Sequence, residues 1–117
     1  MPPANDEQAD YWENRAESWL QGEQHSAIVT RPFGDATIDR LDLRPGDSVL
    51  DIGCGSGVTT VELARRVGPD GRALGVDIAP SMIAAARPVI LWKCLFVPVE
   101  TITLRLRLMM LGRWRKR

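Results

Sequence analysis

The stretch that decides the fold is residues 47–57, which read DSVLDIGCGSG. The apolar pair Val49-Leu50 leads into the acid Asp51, and glycines follow at positions 53, 55 and 57. Residues 58–66 then have the composition of a helix. A strand, a glycine turn and a helix start form a corner for a nucleoside or a phosphate. Glycine lets a ligand approach the bare backbone there, and a helix N-terminus offers unpaired N–H groups.

The spacing of these glycines differs from that of dinucleotide-binding proteins. The dinucleotide fingerprint is G-x-G-x-x-G, and its third glycine would fall at residue 58. Residue 58 is Val58, and the third glycine is Gly57 instead. A nucleotide-binding oxidoreductase is therefore an alternative that the spacing disfavours.

A second predicted strand also ends in a carboxylate. After a turn rich in glycine and proline, residues 73–77 read ALGVD and predict a short buried strand that ends at Asp77. Asp77 lies 24 residues after Gly53, close to the spacing of about 20 for an acid that binds ribose hydroxyls. Residues 79–87 predict another helix, with Ser81 as its N-cap.

Together these motifs resemble those of the class I, Rossmann-like S-adenosylmethionine-dependent methyltransferases. The first motif of that family is similar to residues 50–57, and the run that follows its second strand is similar to residues 77–86. The resemblance covers roughly residues 8–87. It implies an α/β fold that is incomplete here, with two N-terminal helices, then β-α-β-α, and a C-terminal tail that departs from the family. It also implies S-adenosylmethionine as the cofactor and a small molecule as the methyl acceptor.

The resemblance assigns roles in cofactor binding. Asp51 would lie near the methionine amino end of the cofactor, Asp77 would accept the ribose hydroxyls, and Ile78 would pack on the adenine. The glycine turn would pass under the methionine and ribose portions, with Cys54 as a small side chain that fits the turn. Acceptor-binding residues would come from the back half of the fold, so no catalytic residue is assigned. The predicted cofactor-binding set is Asp51, Gly53, Cys54, Gly55, Gly57, Asp77 and Ile78.

Two helices are predicted in residues 1–46, which we treat as an N-terminal helical cap. The first would begin with a cap at Asn5 or Asp6, run to Leu20 and end at Gly22. The second would span 26–41, with a break near Arg31-Pro32 as an alternative. The apolar stripe of the first helix would either only pack against the domain or cover the cofactor cleft, as the resemblance implies. The two predicted apolar sides are Tyr11, Trp12, Ala16, Trp19 and Leu20, and then Ile28, Val29, Phe33, Ile38 and Leu41.

Residues 47–87 form the predicted cofactor-binding unit, and residues 88–117 form a basic tail. Residues 1–87 carry 8 Arg and 14 Asp+Glu, a net charge of −6, whereas residues 88–117 have a net charge of +6. Pro88 interrupts the preceding helix, and no third-strand acid of the family is recognisable.

We expect that a shifted reading frame or a truncated gene replaced the family sequence at this point, so that the chain is a fragment of doubtful activity. One alternative is a diverged domain. Another is a non-enzymatic protein whose basic tail binds nucleic acid or an anionic membrane. Residues 101–110 alternate leucine with arginine, which fits a strand.

Composition excludes several other classes of protein. The chain has 117 residues, of which 44% are hydrophobic and 26% charged, as in an ordinary single domain. It has neither a signal-peptide pattern nor 18 consecutive apolar residues, so we expect a cytoplasmic protein without a membrane span. Cys54 and Cys94 fit no metal or disulfide framework, and His25, the single histidine, is expected at the surface rather than as a base. Nucleic acid is not an expected partner.

Overall fold

The computed structural model describes residues 5–88 and 94–98. They form an α/β fold with one parallel sheet in the strand order β1-β2-β3. The predicted α/β class and the β-α-β-α unit are confirmed. The helices are α1 (Asp6–Glu13), α2 (Ala16–Arg40), α3 (Val58–Val67) and α4 (Pro80–Ala86), and the strands are β1 (Ser48–Ile52), β2 (Arg72–Asp77) and β3 (Cys94–Pro98).

One face of the sheet packs against α3 and α4. Asp51, Gly75 and Phe96 lie side by side in the register of the three strands. A β-carbon on Gly75 would lie 2.8 Å from the Phe96 ring and 2.8 Å from the Thr60 hydroxyl. The middle strand therefore needs a residue without a side chain at this point. The core beside it consists of Cys54, Ile83, Ala86 and Phe96.

The opposite face of the sheet is also apolar. The neighbouring row of the register is Leu50, Leu74 and Leu95, and the alternation of strands turns it away from α3 and α4. Leu50 and Leu95 are 46% and 43% exposed. β1 is an edge strand among residues 5–88 and 94–98, and Ile52 at its end is 76% exposed. Within those ranges, one side of β1 is open to solvent.

The third strand was not assigned from the sequence. β3 lies in the segment interpreted as a basic tail, residues 88–117, and it pairs in parallel with β2. Phe96 is only 5% exposed, so β3 packs as part of the same domain. The other predictions for the tail, including the strand over 101–110, lie outside the described residues.

The boundaries predicted for the N-terminal helices are wrong. α1 ends at Glu13 rather than at Leu20, and α2 continues through Gly22 and Pro32 to Arg40. Glycine and proline inside a helix cost about 1 and 3 kcal/mol. The helix nevertheless continues through both residues over its 25 residues.

The apolar side of α2 is buried near its two ends, at Ala16 and at Ile38, and not in the middle. Ile38 packs against Leu63 and Ala64 of α3. The other members of the predicted buried side are exposed: Ile28, Val29 and Phe33 in the middle of α2, and Leu41 directly after its end. Neither α2 nor any other described helix is long and apolar enough to cross a membrane.

Of the two predicted N-caps, Asn5 is found at the predicted position and Ser81 is not. Asn5 precedes α1, but its side chain makes no capping hydrogen bond. The N-cap of α4 is Ala79 rather than Ser81. Pro80 takes the first helical position, which proline favours because that position needs no N–H donor.

The position of β3 can be tested with two neighbouring substitutions. Phe96→Ala should lower the free energy of unfolding by about 3–5 kcal/mol, because it removes a buried ring from the core. Leu95→Ala should cost only about 1 kcal/mol, since that side chain is half-exposed. Urea denaturation followed by circular dichroism measures both. Equal losses would contradict the orientation of β3.

Candidate functional site

The glycine loop, residues 53–57, joins β1 to α3 at the carboxyl edge of the sheet. Gly53, Gly55 and Gly57 all have positive φ angles, of 75°, 54° and 88°. The N–H groups of Gly53 and Cys54 donate to the Val76 carbonyl at 2.8 and 2.9 Å. These bonds fix the loop against the end of β2.

Asp77 ties the glycine loop to the start of α4. Its Oδ2 accepts the Gly55 N–H at 2.9 Å, and its Oδ1 accepts the Ala79 N–H at 2.8 Å. The residue is buried, with 9% of its surface exposed. A carboxylate offers about four lone-pair sites, so both oxygens can still accept a further hydrogen bond from a ligand.

Gly53 and Gly57 meet different surroundings. A β-carbon on Gly53 would meet no atom within 4 Å, so a ligand can approach the backbone there. A β-carbon on Gly57 would lie 2.6 Å from the Phe96 ring and 3.2 Å from Ala86. Gly53 faces open space, whereas Gly57 is needed for the packing of α3 against β3 and α4.

A cavity of about 390 Å³ lies between the N-terminal helices and the carboxyl ends of the strands. It brings together three of the predicted site residues, Gly53, Asp77 and Ile78. The other four predicted residues do not line it. The lining residues are Trp12, Trp19, Ile52, Gly53, Asp77, Ile78, Ala79 and Met82.

Two tryptophans form the outer wall of the cavity. Trp12 of α1 and Trp19 of α2 pack edge to face, with ring centroids 6.1 Å apart. They are 39% and 51% exposed. The predicted apolar stripe is therefore divided, because Ala16 and Leu20 pack on α4 and Ala79 whereas both indoles remain accessible to a ligand.

Asp51 lies under the glycine loop rather than in the cavity. Its Oδ2 accepts a hydrogen bond from the Thr60 hydroxyl of α3 at 2.7 Å. Burial raises the pKa of Asp51 above its ordinary 3.8, the Thr60 hydrogen bond lowers it, and the charge of Asp77 raises it. Its predicted place near the amino end of the cofactor stays a prediction.

Cys54 is part of the core. Its side chain is 7% exposed and packs with Ile83, Ala86 and Phe96. Burial, followed by the charges of Asp51 and Asp77, raises the pKa of the thiol to about 12. Such a thiol is inert at neutral pH. Because the side chain is buried, any contact of Cys54 with a ligand would come from its backbone.

Comparison with known proteins identifies the fold. Residues 43–91 match the family model of a methyltransferase domain. The nocamycin O-methyltransferase of Saccharothrix syringae is 46% identical over 55 residues, which are 47% of this chain and 20% of that protein. The demethylmenaquinone methyltransferase of Symbiobacterium thermophilum is 32% identical over 92 residues, which are 74% of this chain and 37% of that protein.

This chain therefore resembles a methyltransferase domain over residues 43–91, and its fold is that of the class I, Rossmann-like methyltransferases. A solved TehB-like SAM-dependent methyltransferase from Corynebacterium glutamicum shares the fold, with a TM-score of 0.54 at 24% identity. The match covers 73% of this chain and 45% of that one. The chain thus spans less than half the length of each of these three proteins.

The N-terminal helices of this methyltransferase domain are held by two glutamate–serine pairs that sequence reasoning missed. Glu13 of α1 accepts hydrogen bonds from the Ser81 N–H, at 3.0 Å, and from the Ser81 hydroxyl. Glu23 of α2 accepts one from the hydroxyl of Ser56 in the glycine loop. The partners are 68 and 33 residues apart, so no local pattern could have revealed them. No cluster of three His, Cys, Asp or Glu residues suitable for a metal ion occurs in the described part of the chain.

Alanine substitutions at Gly53 and Gly57 should separate loop strain from core packing. Each forces alanine into the left-handed region, at a cost of about 1–2 kcal/mol. Gly57→Ala should cost roughly 1–3 kcal/mol more, because its new methyl group meets Phe96. Chemical denaturation measures both losses. Identical losses would refute a close contact between Gly57 and β3.

Asp51→Asn should change how stability depends on pH. The folded-state pKa of Asp51 is raised, so the wild type loses stability as the pH rises from the ordinary value of 3.8 through that higher pKa. Asparagine keeps an acceptor for Thr60 and carries no charge. The variant should therefore gain stability relative to wild type on going from pH 3 to pH 7, in matched urea titrations. A constant difference between the two proteins would show that the carboxylate is not penalised by burial.

Proposed function

We propose that this domain binds S-adenosylmethionine in the cavity between Asp77 and the two tryptophans, and that the protein transfers the methyl group to a small molecule. S-adenosylmethionine is the expected cofactor of the family. The observation that supports its site in this chain is the convergence of Gly53, Asp77 and Ile78 on one cavity of about 390 Å³. That volume lies in the usual range of about 300–1,000 Å³ for small-ligand sites.

The polar end of the cavity suits a ribose. Both oxygens of Asp77 are already oriented by the backbone N–H groups of Gly55 and Ala79. Their remaining lone pairs can accept two vicinal hydroxyls, and each charged hydrogen bond contributes about 1.5–3 kcal/mol. The Asp77 side chain loses little conformational freedom on binding, since its carboxylate is already fixed before the ligand arrives.

The apolar walls suit a nucleobase. Ile78 and Met82 lie on the domain side, and Trp12 and Trp19 lie across from them. A flat base can stack on an indole or lie between the two walls, and such contacts between a base and an aromatic ring are worth roughly 1–3 kcal/mol. The N-terminal helices thus act as a cap over the cofactor as well as packing on α4.

Methyl transfer needs positioning more than acid–base chemistry. The leaving group of a sulfonium donor is already good, so the protein mainly has to hold donor and acceptor in a near-attack geometry. S-adenosylmethionine supplies the reactive methyl group when bound, and the described residues bind and orient it. The names of the relatives, a nocamycin O-methyltransferase and a demethylmenaquinone methyltransferase, support a small-molecule acceptor.

Calorimetric titration of the whole chain tests cofactor binding. S-adenosylmethionine should bind, and a large excess of NAD should not displace it, because no lysine or arginine among the described residues lines the cavity to hold a pyrophosphate. Displacement by NAD would instead favour the oxidoreductase alternative.

Two aromatic substitutions on α2 sharpen this test. Trp19→Ala should weaken S-adenosylmethionine binding by roughly tenfold through lost stacking. Phe33→Ala is the matched control, since Phe33 is 75% exposed on the same helix and does not line the cavity. The same loss in both variants would place the ligand elsewhere.

A further inference from the structure

A carboxylate from the N-terminal helices lies directly on the glycine loop. Glu23 of α2 accepts the hydroxyl hydrogen of Ser56 through its Oε1. Both residues are half-buried, and Ser56 stands between Gly55 and Gly57. Glycine loops at the start of a helix usually attract anions, because N–H groups and the helix dipole point toward the ligand. Here the carboxylate of Glu23 lies beside the loop, where an anion would otherwise bind.

The N–H groups of the loop are largely used within the protein. Gly53 and Cys54 donate to Val76, Gly55 donates to Asp77, and Gly57 donates to the Cys54 carbonyl. The loop therefore has little left to offer a phosphate. The nearby charged side chains that these bonds involve are carboxylates, which disfavour an anion and favour a cation.

Glu23 is better placed than Asp51 to meet a cationic group above the loop. Asp51 is engaged by Thr60 beneath the loop. Among the described residues, Ser56 is the hydrogen-bond partner of Glu23, and it occupies Oε1. The second carboxylate oxygen, Oε2, is then available to a ligand. A hydrogen bond between an ammonium and a carboxylate is about twice as strong as one between neutral groups.

We propose that Glu23 is a specificity residue, whose carboxylate binds the α-ammonium group of the amino-acid part of the cofactor while Ser56 holds it over the glycine loop. This inference rests on the proposed function, and it explains why the loop would accept a sulfonium amino acid and reject a dinucleotide. The ammonium lies at the amino-acid end of the ligand and the ribose lies at its centre, so Glu23 and Asp77 recognise different parts of one molecule.

Glu13 provides a matched control for a merely structural role. It also joins an N-terminal helix to the domain by accepting hydrogen bonds from a serine, Ser81. Ser81 lies on α4, whereas Ser56 lies in the glycine loop. None of the four residues of these two pairs lines the cavity, so contact with the glycine loop is what distinguishes Glu23 from Glu13. If both glutamates only hold the N-terminal helices in place, substitution of either one should change the affinities for the three probes in the same pattern.

The test compares three probes by calorimetry on the whole chain at neutral pH. S-adenosylmethionine and S-adenosylhomocysteine both carry the α-ammonium, whereas 5′-methylthioadenosine has the nucleoside without the amino acid. Glu23→Gln should weaken the first two by about tenfold and leave methylthioadenosine unchanged. Glu13→Gln should change all three by the same factor or not at all. Ser56→Ala, which keeps the charge of Glu23 but releases its position, should cause a smaller loss with the same selectivity.

The outcomes separate the two proposals. If Glu23→Gln weakens methylthioadenosine as much as S-adenosylmethionine, or weakens none of the probes, Glu23 is only a latch and this inference is overturned. If the wild type binds none of the probes, the proposed function falls and the role of Glu23 falls with it. Circular dichroism of each variant confirms that the losses do not come from unfolding.

Discussion

The carboxylate of Asp77 accepts one backbone N–H from the glycine loop and one from the start of α4. Both donors are backbone groups that would be costly to bury without partners. The loop, the end of β2 and α4 are thereby held in one arrangement. The cavity exists because these three elements stay together, so the residue proposed to bind the ribose is also the residue that builds the site.

This dual use limits what mutagenesis at Asp77 can show. Removing the carboxylate leaves the N–H groups of Gly55 and Ala79 unpaired, and stability and ligand affinity then fall together. Residues on the N-terminal helices are more informative. Trp19 lines the cavity and Glu23 contacts the glycine loop, both from outside the sheet, and neither lies in a buried core cluster. Their substitutions can report on binding with little effect on the fold.

Short-range features of the structure could be predicted from the sequence. β1, α3, β2 and α4 follow from apolar runs, glycines and a proline that act within a few residues. Gly53 and Asp77 follow from their place at the ends of the strands, whereas Ile78 was assigned by the family resemblance. Long-range features could not. The pairing of β3 depends on how Phe96 fits beside Gly75, and the course of α2 depends on packing that Gly22 and Pro32 do not reveal. The contact between Glu23 and Ser56 requires knowing where α2 lies, which no local pattern encodes.

The contact between Gly57 and Phe96 links the glycine loop to β3. A ring at position 96 fills the space that a β-carbon at position 57 would need. A smaller residue at 96 would leave that space empty. A side chain at 57 would then be disfavoured mainly by its positive φ angle, with Ala86 as the remaining close contact at 3.2 Å. The two positions are therefore not free to vary independently. A change in β3 alters which residues the glycine loop can tolerate, although β3 contributes no residue to the cavity.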